Sequence, residues 1–244
     1  MTITSAFCVF GLEPFPTITE GDDLPEAITT VLGEQDQRLL DGDIIVVASK
    51  VVSIAEKRYV DLATITPSPQ AREISEQTGK PAAIAQLILD ESTEHFLATP
   101  TGPIIARHKL GYQLTSAGVD RAGATGAWLL PADPDASARR VRDALTTATG
   151  TDLAVIIADS DGRPDRLGAT VISLGAAGIA PLRVTEHTEP NGKVKRQEET
   201  LTDLIAATAG IVLGQRGRGA PVAIIRGVTY HTSDDGVTSI LQCC

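Results

Sequence analysis

Cysteine is scarce in this chain: there are three, Cys8 and the adjacent pair Cys243 and Cys244. That number and spacing exclude a disulfide framework and a zinc-knuckle arrangement. No apolar run approaches the roughly 20 residues needed to span a bilayer, and the N-terminus lacks the basic-then-apolar order of a secretion signal. The expectation is a soluble, cytoplasmic protein that engages no membrane. Cys243 and Cys244 have no polybasic segment before them to complete a lipid-anchor signal, so they read as an inert tail. Basic charge is also in short supply. Lys and Arg number 21 against 31 Asp and Glu, a net charge of -10, which excludes the broad basic surface that a nucleic acid requires. A small anionic ligand therefore needs a local basic pocket or bound cations. His95, His108, His187 and His231 are scattered, no Ser-His-acid nucleophile is evident, and none of the four is assigned a role.

What is present is a globular pattern. With 42% hydrophobic and 21% charged residues over 244 positions, the chain can bury a sizeable core as one large domain or two intimate lobes. No repeat of fixed period or low-complexity linker divides it. Phe7 to Phe10 reads as a short strand, and Asp22 or Asp23 can cap a helix over Leu24 to Leu32, ended by Gly33. Ile44-Ile45-Val46-Val47-Ala48 is a continuous apolar run, the signature of a strand covered on both faces, with Ser49 and Lys50 at its end. Ser68 caps a helix through Gln77, and a second helix covers Ala82 to Leu89. Ile104 to Arg107 and Tyr112 to Ser116 read as strands, the second leading into Asp120. Asp133-Pro134 opens a helix reaching Leu145. Leu153 to Ala158 is the strongest buried-strand signal and delivers Asp159 and Ser160. Thr185 to Arg196 is polar and turn-rich, Glu199 to Leu213 alternates as a helix, and Pro221 to Ile225 is the last strand. The pattern is α/β.

Carboxylates leaving strand ends in such proteins stand where ligands bind. Asp120 and Asp159, with the Ser160 hydroxyl and the Gln215 amide oxygen, form a hard oxygen set suited to Mg2+ or Mn2+. Turn-formers or helix caps explain the two aspartates equally well at this stage. Gly214 to Gly219 offers backbone amides and two arginines to phosphates, or is a solvated surface turn. Arg163 and Arg166, near Asp159, bind an anionic substrate or pair with surface acids. Lys50 is a phosphate candidate or a lysine covering its strand end.

Taken in order, Gly21-Asp22-Asp23-Leu24, the run from Asp41 through Ser53, Ala117-Gly118-Val119-Asp120, the run from Leu129 through Ala138, Asp159-Ser160-Asp161-Gly162-Arg163-Pro164 and Arg226-Gly227 resemble the coenzyme F420:L-glutamate ligase family, γ-glutamyl ligases that extend a deazaflavin cofactor. The resemblance runs from about residue 8 to 241. It implies an α+β γ-glutamyl ligase fold rather than a standard dinucleotide-binding sheet, a single ligase domain without a C-terminal nitroreductase-like domain, and an intertwined homodimer. It also implies GTP as co-substrate, Mn2+ or Mg2+ as cofactor, and transfer of L-glutamate to a small-molecule carboxylate through an acyl phosphate. The positions it marks for metal are Asp120, Asp159, Ser160 and Gln215. Those it marks for nucleotide are Gly11, Leu12, Glu13, Pro14, Ser49, Lys50 and the loop carrying Gly214, Gly217 and Gly219. The chain departs from the family pattern at Ile54, where a lysine is usual, at Gly123, where an asparagine is usual, and at Leu204, where an acid is usual. Asp165 and the turn Glu189 to Gly192 depart as well. These changes leave open a diverged paralogue with another nucleotide or substrate, and a non-catalytic binding protein using the same cleft.

Overall fold

The computed structural model of the protein describes residues 6–214 and 220–242. Strand β1 (Cys8–Gly11) leads to helix α1 (Leu24–Glu34), whose cap is Asp23: its side chain accepts the Glu26 N–H, and a proline occupies the first turn. Strand β2 (Ile44–Ala48) passes without a loop into α2 (Ser49–Ala55). After β3 (Tyr59–Asp61) comes α3 (Pro69–Thr78), capped by Ser68 and closed by Gly79 in the left-handed conformation that glycine tolerates. Then follow α4 (Ala82–Asp90), β4 (Ser92–Leu97), β5 (Ile104–His108) and β6 (Gln113–Thr115). A 3-10 turn over Ser116–Gly118 precedes β7 (Asp120–Ala122) and β8 (Gly126–Trp128). Helix α5 (Pro134–Thr149), capped by Asp133, leads to the hairpin β9 (Ala154–Gly162) and β10 (Ala169–Ala177). The chain continues through β11 (Leu182–Thr188), β12 (Val194–Thr200), α6 (Leu201–Leu213) and β13 (Val222–Arg226).

A five-stranded sheet in the order β1-β13-β2-β9-β10 carries the architecture, beside three small sheets, and the whole is α+β. The expected two-sided burial of β2 is observed. Ile45 and Val47 join Val155 and Ile157 in a core under α1, α2 and α5, while Ile44 and Val46 join Ala154 and Ile156 in a second core with Leu114 and the α6 residues Ile205 and Ala209. A third core packs Ile74 and Ile88 of α3 and α4 on Ile104 and Ala127. Because β13 is antiparallel to both β1 and β2, and β2 is parallel to β9, the C-terminal ends of β1, β2 and β9 reach the same sheet edge.

Several expectations need correction. The stretch read as polar and turn-rich around Thr185 to Arg196 is the antiparallel ribbon β11–β12, in register from Leu182↔Thr200 to Thr188↔Val194. Its strands are exposed on both faces, so they carry no apolar alternation to read. Asp120 opens β7 rather than leaving a strand, and Asp159 lies inside β9, paired with Ile172. Strand β2 ends at Ala48, opposite Ala158, and turns into α2, so Asp159 loses one neighbour strand while β10 still holds it on the other side. Gly33 lies within α1 rather than ending it.

Candidate active site

The common strand edge places the end of β1, the start of α2 and Asp159 side by side. Ser49 begins α2 directly after β2 and is buried. Its hydroxyl donates to Asp159 Oδ1 at 2.8 Å. Asp159 continues the alternation of Val155 and Ile157, so its side chain stands on the α2 face of the sheet. Ser160 follows the opposite parity, that of Ile156 and Ala158, which turns its hydroxyl to the other face.

Asp120 reaches this edge because of a strained turn. Ser116, Ala117 and Gly118 take positive φ in succession, at 55°, 51° and 67°. Two of them are not glycine, a local cost of order 1–3 kcal/mol each. Gly118 has no room for a side chain, since a Cβ there would press into Leu130. The turn is pinned to β9 by Thr115, whose N–H donates to Asp161 Oδ1 at 2.9 Å and whose hydroxyl donates to the Gly162 carbonyl at 2.9 Å. Thr115 and Asp161 were missed at the level of sequence. The signal that could have found Asp161 is its spacing, two residues beyond Asp159 on the same strand.

The electrostatics follow from this approach. The Asp159 carboxyl is pushed up from 3.8 to about 7, first by removal from water and then by the negative charge of Asp120. The Ser49 hydroxyl and the Ser160 backbone N–H oppose the shift, and Asp161 adds to it. Asp161 is itself raised, chiefly by burial. Lys50 Nζ stands 3.6 Å from Asp120 Oδ2, with both side chains about half exposed, so this pair is screened by water. An arrangement of two oxygen donors that repel each other in a partly dry setting fits a divalent cation, which would remove the repulsion. Among the described residues no three His, Cys, Asp or Glu side chains gather as a ready-made metal cluster.

The remaining expected residues fall into three groups. Gly11, Leu12, Glu13 and Pro14 leave β1 at the same edge. Leu12 is fully buried and its N–H donates to the Val222 carbonyl at 2.9 Å, while Glu13 and Pro14 are exposed. Gly214 is exposed at the end of α6 with φ 68°, and Gln215, Gly217 and Gly219 lie outside the described residues. Arg163 and Arg166 sit on the exposed β9–β10 connection. Both turn to Asp165, with Arg163 Nε at 3.7 Å and an Arg166 terminal nitrogen at 3.0 Å. Among the departures, Ile54 packs against the first core, Gly123 has open space where a side chain would stand, and Leu204 is exposed beside Asp203, which accepts from the Ser173 N–H and hydroxyl. Two surface cavities of about 220 and 250 Å³ lie near Tyr112 and Asp135, and neither is lined by Asp120 or Asp159.

The strand-edge carboxylates Asp120 and Asp159, with Lys50 and the buried Ser49 hydroxyl, make a polar candidate site in an α+β enzyme, and the relatives of the chain make that enzyme a ligase. The chain belongs to the F420-0:gamma-glutamyl ligase family, whose model matches residues 14–227. It is 38% identical over 240 residues to the coenzyme F420:L-glutamate ligase of Methanothermobacter thermautotrophicus, covering 96% of this chain and 95% of that protein. It is 35% identical to the protein of that name from Methanosarcina mazei, covering 97% and 91%, and 35% identical to that from Archaeoglobus fulgidus, covering 90% and 87%. Among the described residues no helix is long and apolar enough to cross a membrane.

Proposed function

We propose that the protein is a GTP- and divalent-metal-dependent ligase that joins L-glutamate to the terminal carboxylate of coenzyme F420-0 through an acyl phosphate. The observation that carries this reading is the approach of Asp120 to Asp159 at the strand edge, beside Ser49 and Lys50, in a chain aligned along nearly its whole length with ligases of that name. A carboxylate is a poor electrophile. One of its oxygens attacks the γ-phosphorus and GDP departs; the glutamate nitrogen, as the free amine, then attacks the acyl carbon, the bond to the phosphate oxygen breaks, phosphate leaves, and the nitrogen loses one proton to solvent and keeps one as the amide N–H. Asp120 and Asp159 would hold Mg2+ or Mn2+, which supplies neutralisation of charge on the phosphate oxygens. Ser49 fixes the Asp159 rotamer, Lys50 presents a positive charge at the mouth of the site, and residues 11–14 with Gly214 offer backbone to the nucleotide. Ser160 joins through its backbone, since its hydroxyl faces away.

A homodimer in the cytoplasm belongs to the same reading. The ribbon β11–β12 leaves Val184 and Val194 exposed, apolar surface that a second copy would cover. One observation favours a second reading, a paralogue with another nucleotide: Ile54 brings an apolar side chain and Gly123 none to the two departing positions. Purified protein with GTP, MnCl2, L-glutamate and the deazaflavin acid should release phosphate and form the glutamyl amide. Turnover with ATP or another nucleotide but not GTP would move the assignment to the paralogue, and no turnover with any nucleotide would overturn it.

A further inference from the structure

The three-stranded sheet β3-β8-β7 carries two rows of cross-strand neighbours on opposite faces. Val60, Ala127 and Arg121 are in register on one face, with Ala127 in the third core and Val60 packed against it. Tyr59, Trp128 and Asp120 are in register on the other. Residues directly opposite on neighbouring strands point the same way, with Cβ atoms about 5 Å apart. Trp128 is therefore the immediate neighbour of Asp120, and Tyr59 stands one strand further, about 10 Å from it.

Aromatic residues make up only 3% of the chain, and Trp128 is its sole tryptophan. Neither ring is part of any of the three cores. Instead they meet edge to face, centroids 5.1 Å apart and planes at 66°, and Tyr59 remains 39% exposed. The Tyr59 ring lies across Gly126, where any Cβ would collide with it. A glycine at that point lets the ring settle onto the sheet, and the pair, Tyr59 exposed and Trp128 half-buried, forms a shelf in line with Asp120. Of the groups offered to the nucleotide, residues 11–14 and Gly214 belong to the β1–β13 side of the large sheet, while Lys50 stands at Asp120, where phosphate and acid would meet.

We infer that Tyr59 and Trp128 form a binding shelf for the planar fused heteroaromatic ring of the acid substrate, holding it by stacking on the Asp120 side of the site. This rests on the proposed function, under which the acid carries a deazaflavin ring. Stacking on such a shelf favours a flat ring of any substituent pattern. It contributes to binding rather than to the chemical step, so its loss appears in KM and leaves kcat in place.

Because Trp128 is the only tryptophan, its emission reports on the shelf alone. A 5-deazaflavin riboside lacking the phosphate and the carboxylate should quench that emission, after inner-filter correction and without metal or turnover, whereas GTP should leave it unchanged. In the phosphate-release assay Trp128→Leu should raise the KM for the deazaflavin acid roughly tenfold, as expected for one lost stacking partner, with kcat and the KM for GTP held within about twofold. Trp128→Phe should restore most of the affinity, and Tyr59→Leu should act in the same direction if Trp128→Leu proves unfolded by circular dichroism. Quenching by GTP alone overturns the assignment to the acid. Emission that ignores both ligands but shifts on dilution of the protein places a second copy on the shelf and also overturns it. Full turnover with an unchanged KM in the folded variants removes the shelf while leaving the ligase reading intact. Quenching by the riboside without any turnover keeps the shelf and removes the ligase reading.

Discussion

Replacing Asp159 by asparagine should make the metal-free protein more stable at neutral pH while abolishing its activity. The Asp159 carboxyl is pushed from 3.8 up to about 7, first by burial and then by the charge of Asp120. An acid raised in the native state binds its proton more tightly there than in the unfolded chain, so stability falls as pH rises from about 4 to about 7 and then levels off. The full interval corresponds to a ceiling of about 4 kcal/mol at 1.36 kcal/mol per pKa unit. Asp159 is not wholly enclosed, and water lowers the realised cost to roughly 1–3 kcal/mol. Asparagine keeps an Oδ1 that can accept from the Ser49 hydroxyl, so the substitution removes charge and little else. Urea denaturation in a chelator, from about pH 4.5 to about pH 8, should show a falling midpoint for the wild type and a flatter one for Asp159→Asn, with the two meeting at the acid end. Excess Mn2+ should recover the wild type by mass action, about 2.7 kcal/mol at a hundredfold excess over Kd, and recover the variant less. A variant less stable than the wild type near pH 8 in chelator, or a wild type indifferent to pH across this range, would refute the argument.

Two further substitutions separate structural from functional charge. Asp43 is fully buried and accepts from Arg226 Nε at 2.8 Å, from an Arg226 terminal nitrogen at 2.7 Å and from the Leu40 N–H at 2.8 Å. Asp43→Ala leaves a guanidinium and an amide without their acceptor, and should cost roughly 3 kcal/mol by urea denaturation, with kcat preserved in whatever fraction remains folded. Lys50→Met breaks only an exposed, screened pair with Asp120, so stability should change by no more than about 0.5 kcal/mol. The KM for the nucleotide should rise by about tenfold or more in a steady-state assay, as for loss of a charged contact to phosphate.

Local chemistry settled much of the framework before any contact was known. Asp23, Ser68 and Asp133 cap the helices that follow them, because a short oxygen-bearing side chain satisfies the first free N–H groups whatever surrounds it. The apolar run at 44–48 became a strand buried on both faces, since no other placement removes five consecutive apolar side chains from water. Asp120 and Asp159 stood out as candidates on the same local grounds. Helix α2 was not legible, because Val51, Val52 and Ile54 are β-branched and weak helix formers, and packing against the first core holds them in a helix. The β11–β12 ribbon was hidden by its exposure, and the Tyr59–Trp128 pair by its dependence on strand register. Sequence by itself singled out Asp120 and Asp159 but set both at strand ends, whereas Asp120 opens β7 and Asp159 lies inside β9. Tertiary structure alone decided that Asp120 reaches Asp159, that Ser49 holds it and that burial with the Asp120 charge raises the Asp159 carboxyl. Hydrogen-bond partners and the loss of water are properties of side chains meeting across the fold, and no pattern along the chain encodes them.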